Sequence, residues 1–282
     1  MARSFDAAQH EYLSGPAPLS AMPLAMACWF RASDTADYRV LMAVSDPQDH
    51  KSLELMAAGG ASGDPLWAVT RTSPPISRYA VTTAGYSADA WHHAAAVFRA
   101  PDDVRVYLDG GHRGTIANAV APSGLSTVYV AKVRYSNTDS FHYSGRIAEA
   151  ALWDLAAWDL DAVDASIAAL AAGFSPALFP RGLAAYWPLG GVFGPSDDDR
   201  SGDNDLTACN APSWAEHPPV LYPSRPRAFV PTLEGPAPAR PPYRAAAGRV
   251  AHAGAVAGGQ FVTGPGAGQV FLSGPVAGLI HG

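Results

Sequence analysis

The apolar positions of this chain fall mostly into short runs with the two-residue period of β-strands, broken by turn residues about every ten positions. Residues 24–32 form an almost unbroken apolar run, the pattern of a core strand. Strands over 38–45 and 51–57 follow, separated by Asp46-Pro47-Gln48-Asp49, and strands over 66–71 and 77–83 bracket Ser73-Pro74-Pro75. Residues 91–98 lead into 104–108, which alternate strictly, and Asp109-Gly110-Gly111 then predicts a hairpin returning through 112–119. A strand over 126–133 precedes a polar loop at 135–140. Residues 145–154 carry small apolar side chains at both parities, which predicts a central strand with Ile147, Glu149 and Ala151 on one face and Ala148, Ala150 and Leu152 on the other. Directly after it the period changes. Leu160, Val163, Ile167 and Leu170 stand at helical spacing, with Asp159 or Asp161 to cap the start and Gly173 to end the helix. An apolar strand at 183–189, an acidic loop at 197–205 and a short strand at 205–208 complete the pattern. One helix among many short strands predicts an all-β fold, a two-sheet antiparallel sandwich.

Composition alters this picture at one place. The 27 glycines and 25 prolines are not evenly spread. Beyond Glu216 the chain carries Pro218, Pro219, Pro223, Pro226, Pro231, Pro236, Pro238, Pro241 and Pro242, followed by Gly/Ala-rich sequence with two similar pieces, Phe261-Val262-Thr263-Gly264-Pro265 and Phe271-Leu272-Ser273-Gly274-Pro275. This stretch lacks the apolar density to fold alone, so the expected organisation is a sandwich over 1–214 and an extended arm over 215–282, ordered by partners. A net charge of −6 without a Lys/Arg cluster argues against nucleic acid as a partner. No run of 18 apolar residues is present, so no membrane insertion is expected. The N-terminus lacks the apolar core of a secretory signal, which predicts synthesis in the cytoplasm. Cys28 and Cys209 are too few for a zinc site, and Cys28 reads as a buried small hydrophobe.

Several blocks together resemble a known family. They are Ser4-Phe5-Asp6 with Tyr12-Leu13, Ala27-Cys28-Trp29-Phe30, Trp91-His92-His93-Ala94-Ala95-Ala96-Val97, Val106-Tyr107-Leu108-Asp109-Gly110, and Gly145-Arg146-Ile147-Ala148-Glu149-Ala150-Ala151-Leu152-Trp153. In this order, and followed by a helix, they resemble the laminin-G-like, concanavalin-A-like jelly-roll domains. The resemblance implies two curved antiparallel sheets packed face to face, with loops at the rim. Members of the family are often sugar- or protein-binding modules, and similar domains occur in virion proteins of tailed phages.

The chemistry-bearing residues sort as follows. A glycosidase of this class needs two carboxylates facing one cleft, yet the five glutamates, at 11, 54, 149, 216 and 234, offer no alternating acidic strand, and Glu149 has no acidic partner before Asp154. His92 and His93 are adjacent and point to opposite faces, so they do not share a site easily. No Gly-x-Ser-x-Gly motif is present. Asp197, Asp199, Asp203 and Asp205 are the metal candidates: Asp197, Asp199, Ser201 and Gly202 imitate the first half of a calcium loop, but Ala208 stands where its bidentate glutamate would be. Among seven tryptophans, Trp67 and Trp158 lie nearest to turns and are the candidates for stacking on sugar. The expectation is therefore a non-enzymatic virion structural protein, a head decoration or tail-associated component. It would need no cofactor other than calcium, pack as a homo-oligomer, and meet a major capsid or tail protein through its arm. The alternative is a glycan-binding adhesin with carbohydrate as its partner. A glycoside hydrolase comes third.

Overall fold

The computed structural model describes residues 1–156, 162–190 and 194–223; Trp158, the expected caps Asp159 and Asp161, and the arm beyond 223 lie outside the described residues, and the N-cap position of the helix falls on Ala162, which makes no side-chain cap bond. The strands are β1 (Ala2–Phe5), β2 (Tyr12–Pro16), β3 (Leu24–Ala32), β4 (Tyr38–Asp46), β5 (Lys51–Ala58) and β6 (Pro65–Thr72). Then come β7 (Ile76–Gly85), β8 (His92–Ala100), β9 (Asp103–Leu108), β10 (Gly111–Ile116), β11 (Thr127–Val130), β12 (Val133–Tyr135) and β13 (Thr138–Ser140). After β14 (Gly145–Asp154) and the helix α1 (Val163–Ala171), the chain closes with β15 (Leu183–Trp187), β16 (Thr207–Cys209) and β17 (Ser213–Ala215). They build the expected two-sheet sandwich. An eight-stranded sheet runs β10-β9-β8-β3-β14-β1-β17 with β15 also on β14, and a seven-stranded sheet runs β16-β2-β11-β4-β5-β6-β7. All large-sheet pairings are antiparallel.

Between the sheets lie Leu13, Met26, Phe30, Met42, Leu55, Phe98, Val130, Leu152 and Trp187, all fully buried. The opposite face of the eight-stranded sheet is also covered. Ala25, Ala27, Ala95 and Ala151 leave a shallow apolar floor there, on which Val163, Ile167 and Leu170 of α1 settle beside Trp153 and Tyr107. A side chain at Gly110 would come within 2.9 Å of Ala171, which shows how closely the helix sits. Asp109 and Gly110 both take positive φ, 52° and 74°, the turn that their sequence predicts. The helix ends where Gly173 adopts φ 95°, again as the sequence indicates.

The central strand departs from simple alternation. Ile147, Ala150 and Leu152 face the inter-sheet core, whereas Ala151 and Trp153 face the helix. The reason is a bulge at Glu149, where the pairing to β3 jumps between Ala148 and Ala151. Glu149 takes φ 55° there, a conformation costly for any residue with a Cβ. On the other edge of β14 the partner changes at the same point, from β1 along 145–147 to β15 along 150–153. The Glu149 carboxylate is buried and accepts hydrogen bonds at 2.6 Å from the hydroxyls of Tyr186 and Tyr222. His217 Nε2 stands 3.2 Å from the same carboxylate. Tyr222 and His217 belong to a short strap after β17 that also forms a parallel bridge, Phe174 to Leu221, and places Glu216 near Arg31 and Arg146.

The stretch 135–140, expected as a loop, is a hairpin in the structure. Ser136 and Asn137 take φ 49° and 59°, so β12 turns directly into β13. Its tip docks on the 46–49 turn, with Ser136 N–H donating to Asp49 O and Asn137 N–H to Pro47 O. Val133 and Tyr135, with Phe141 after the hairpin, cover Val40, Ala43, Met56 and Val69 on the outer face of the seven-stranded sheet. The centre of that face is thereby closed.

Adjacent His92 and His93 point apart as strand geometry requires. His93 is buried against Trp29, with ring centroids 5.5 Å apart. Burial, opposed by Asp109, lowers its imidazole to about 4. The unfolded chain therefore takes up a proton near pH 6.5 that the folded chain refuses until about pH 4, so stability falls as pH drops through that window. The His93 share amounts to about 3 kcal/mol. Denaturant unfolding at a series of pH values is expected to show this slope in the native chain and a flatter one in His93→Leu; equal slopes would refute the assignment. At the bulge, Glu149→Ala is expected to cost about 2–3 kcal/mol, because the buried Tyr186 hydroxyl and the half-buried Tyr222 hydroxyl lose their shared acceptor. Glu149→Gly should lose about 1 kcal/mol less, since glycine meets positive φ without a steric penalty. Equal losses would mean that the backbone at 149 is unstrained.

Candidate functional site

Three of the four candidate carboxylates of the acidic loop, Asp197, Asp199 and Asp205, accept hydrogen bonds from the protein itself. Arg3 donates to both oxygens of Asp197, with its Nε at 2.8 Å from Oδ1, and lays its guanidinium over Trp214. Asp199 Oδ1 accepts from the backbone N–H of Tyr186 and from the N–H and hydroxyl of Ser201, while Oδ2 accepts from the N–H and amide of Asn204. Burial pushes the Asp199 carboxyl up, but these donors outweigh it and the net shift is downward. Asp205 Oδ1 accepts from the Asp199 N–H, and Asp203 points into solvent. The loop is thus organised around Asp199 as a hydrogen-bond acceptor, with donors supplied by Ser201 and Asn204 within the loop and by the Tyr186 backbone of β15. Among the described residues no three His, Cys, Asp or Glu side chains converge as metal ligands do. Both thiols are free, and burial raises that of Cys28.

Trp67 lies in β6 on the outer face of the seven-stranded sheet, as the register of β6 with β5 and β7 dictates: Leu66 and Ala68 point into the core, and Trp67 and Val69 point away from it. There it stacks on Tyr79 of β7, with ring centroids 4.2 Å apart and planes within 8°. On its other side stands Tyr38 at the start of β4, at 5.2 Å and 46°. The accessible aromatic surface belongs mainly to the flanking rings, Tyr38 at 37% and Tyr79 at 45% exposure, while Trp67 is half-buried between them. Exposed Val81 extends the apolar strip along β7. The three rings form a ridge beside the edge of the hairpin that closes the rest of the face. Tyr38 is held there from behind, because the backbone at Gly60 comes so close that a Cβ would lie 2.7 Å from its ring.

Tyr38 also belongs to a pocket of ≈ 330 Å³ lined by Ala7, Asp37, Tyr38, Arg39, Phe141 and His142. Arg39 organises it. Its Nη2 reaches Asp34 and Asp37, and its Nη1 reaches the Ser144 hydroxyl at 3.0 Å and the His142 carbonyl at 3.4 Å. His142 Nε2 in turn lies 3.2 Å from His10 Nδ1. Ridge and pocket thus combine flat apolar surface with convergent polar groups, the composition of a small-ligand site.

Two arrangements invite a catalytic interpretation, and in each the reactive groups are already engaged within the protein. Asp34 and Asp37 are the paired carboxylates nearest the pocket, but Arg39 Nη2 lies 3.2 Å from an oxygen of each, so the guanidinium fills the space a glycosidic oxygen would need. Glu54 is buried and bound to Ser52 and Arg71. The second arrangement is Ser87, His92 and Asp109, which stand in the order nucleophile, base and orienter. Asp109 Oδ2 lies 2.8 Å from His92 Nδ1, and Ser87 Oγ lies 3.1 Å from His92 Nε2. The Ser87 backbone N–H also donates to Nε2, at 3.2 Å, and so takes the lone pair that would have to accept the hydroxyl proton. The imidazole acts as a strut between the turn before β8 and the β9–β10 hairpin. Burial raises the Asp109 carboxyl, and its bonds from His92 and the His93 backbone more than offset this.

Sequence reasoning singled out Trp67 but missed Tyr38, Tyr79 and Arg39. Tyr79 was detectable: Tyr79 and Val81 are apolar at the outward parity of β7, where alternation calls for polar residues.

Among solved structures, a Bacteroides ovatus protein named as a candidate carbohydrate binding protein superposes with a TM-score of 0.53 at 15% identity, over 78% of this chain and 61% of that one. A heptameric pentraxin from Limulus polyphemus gives 0.43 at 14% identity, over 57% of this chain and 75% of that one. Domain 4 of an extracellular arabinanase from Geobacillus stearothermophilus gives 0.43 at 17%, over 54% and 68%. At these identities the likeness concerns the fold alone. No sequence among curated proteins matches the chain significantly. The family model of the concanavalin A-like lectin/glucanase superfamily, a laminin-G type, matches residues 5–159. That match spans more than half of the chain, and the protein belongs to this superfamily.

Proposed function

We propose that the protein is a non-catalytic carbohydrate-binding module whose ligand lies on the Tyr38–Trp67–Tyr79 ridge and enters the adjoining pocket. The observation that carries this is the ridge itself, with two tyrosines exposed by more than a third and fixed by a stacked tryptophan, directly beside a polar pocket that shares Tyr38. A sugar ring presents an apolar C–H face and a polar hydroxyl rim. An aromatic face accepts the first, and carboxylate, guanidinium and imidazole groups accept the second. The superfamily includes both lectins and glucanases, and the filled space between Asp34 and Asp37 favours binding over hydrolysis. Trp67 enters this scheme as the central ring that orients its neighbours. Trp158 and the part of the expected arm beyond 223, which was to anchor the chain to a virion, to a capsid or tail partner or to its own copies, lie outside the described residues, and the binding proposal does not depend on them.

A glycan array with the full chain, followed by titration of the best ligand, tests the proposal. Tyr79→Ala and Tyr38→Ala are each expected to weaken binding about tenfold or more while leaving the unfolding midpoint nearly unchanged. An array without hits, or hits indifferent to both substitutions, would remove the ridge from consideration.

A further inference from the structure

Resting on the ridge as a carbohydrate site, we infer that its pocket selects neutral sugars and rejects carboxylated or sulfated ones. The pocket volume of ≈ 330 Å³ suits a single sugar unit, at the small end of ligand cavities. Both terminal nitrogens of its one lining guanidinium are engaged, Arg39 Nη2 by Asp34 and Asp37 and Nη1 by Ser144 and the His142 carbonyl. Nε, which has no hydrogen-bond partner, is buried and out of reach of an anion in solvent. Its side chain is only 11% exposed. Against this single cation stand two carboxylates, and that of Asp37 is 72% exposed at the lining.

The neighbouring bases do not reverse the balance. Burial, His10 and Lys132 hold the His142 imidazole below its usual range, so it is neutral at pH 7. The Lys132 ammonium is fully buried, lies 2.6 Å from Asp139 and sits over the Tyr12 ring. An anionic sugar entering beside Asp37 would meet a like charge with no counter-ion. The free acceptor positions of Asp37 suit the hydroxyl donors of a neutral sugar, which lose nothing by approaching a carboxylate.

The test pairs neutral glucose- and galactose-terminated oligosaccharides with their glucuronate-terminated and sulfated counterparts, titrated by calorimetry against the full chain at two salt concentrations. The neutral members are expected to bind at least tenfold more tightly, with the gap shrinking as salt rises. Asp37→Asn is expected to narrow the gap mainly by improving the anionic ligands. Anionic members that bind equally or more tightly, and are lost in Tyr79→Ala, would overturn the inference while leaving the ridge as the site. A gap that Asp37→Asn leaves untouched would overturn the assignment to this carboxylate. If neither class binds, the ridge proposal falls and this inference with it.

Discussion

The carboxylate of Glu149 and its two tyrosine hydroxyls hold the structure together at the point where it is least regular. β14 borders β3 along one edge and must serve both β1 and β15 along the other. A straight strand cannot turn from one partner to the next without leaving backbone groups unpaired, and the bulge solves this: the Glu149 N–H finds Pro188 O instead of a ladder partner. The positive φ at 149 is sustained because the side chain it projects is bound by Tyr186 and Tyr222. The change of parity sends Leu152 inward and Trp153 under the helix, so the inter-sheet core and the core beneath the helix share this origin.

The opposite sheet is organised by coverage. Its outer face would be a broad open surface, but the β12–β13 hairpin fills the middle and buries Glu54 with Arg71 beneath Tyr135 and Phe141. What stays open lies to one side, where β4, β6 and β7 bring Tyr38, Trp67 and Tyr79 together. The proposed binding surface is therefore compact and displaced from the centre.

Much of the sandwich was legible because its strands obey local rules. The Asp109-Gly110 hairpin and the Gly173 terminus were readable from residues that tolerate positive φ. Glu149 was not, since no glycine marks its bulge and its partners stand 37 and 73 positions away. The same applies to the acidic loop. Alternating aspartates resemble a metal loop locally, but Arg3 and the Tyr186 backbone, both outside the loop, donate to Asp197 and Asp199. Trp67 was visible as a tryptophan near a turn, whereas the tyrosines beside it come from two other strands and depend on register across the sheet. Local pattern encodes the elements. The site arises from the pairing of distant ones, which a single sequence does not spell out.

Arg39 ties the pocket to the chain segment at 142–144 through the His142 carbonyl and the Ser144 hydroxyl. Ser144 also accepts from the Ala7 N–H, which links the same contact to the N-terminal turn. The one guanidinium that lines the pocket is thus a structural tether. A change of charge at this surface is open to Asp37, whose carboxylate is exposed, but not to Arg39, because releasing the guanidinium would also free the 142–144 segment and, through Ser144, the N-terminal turn.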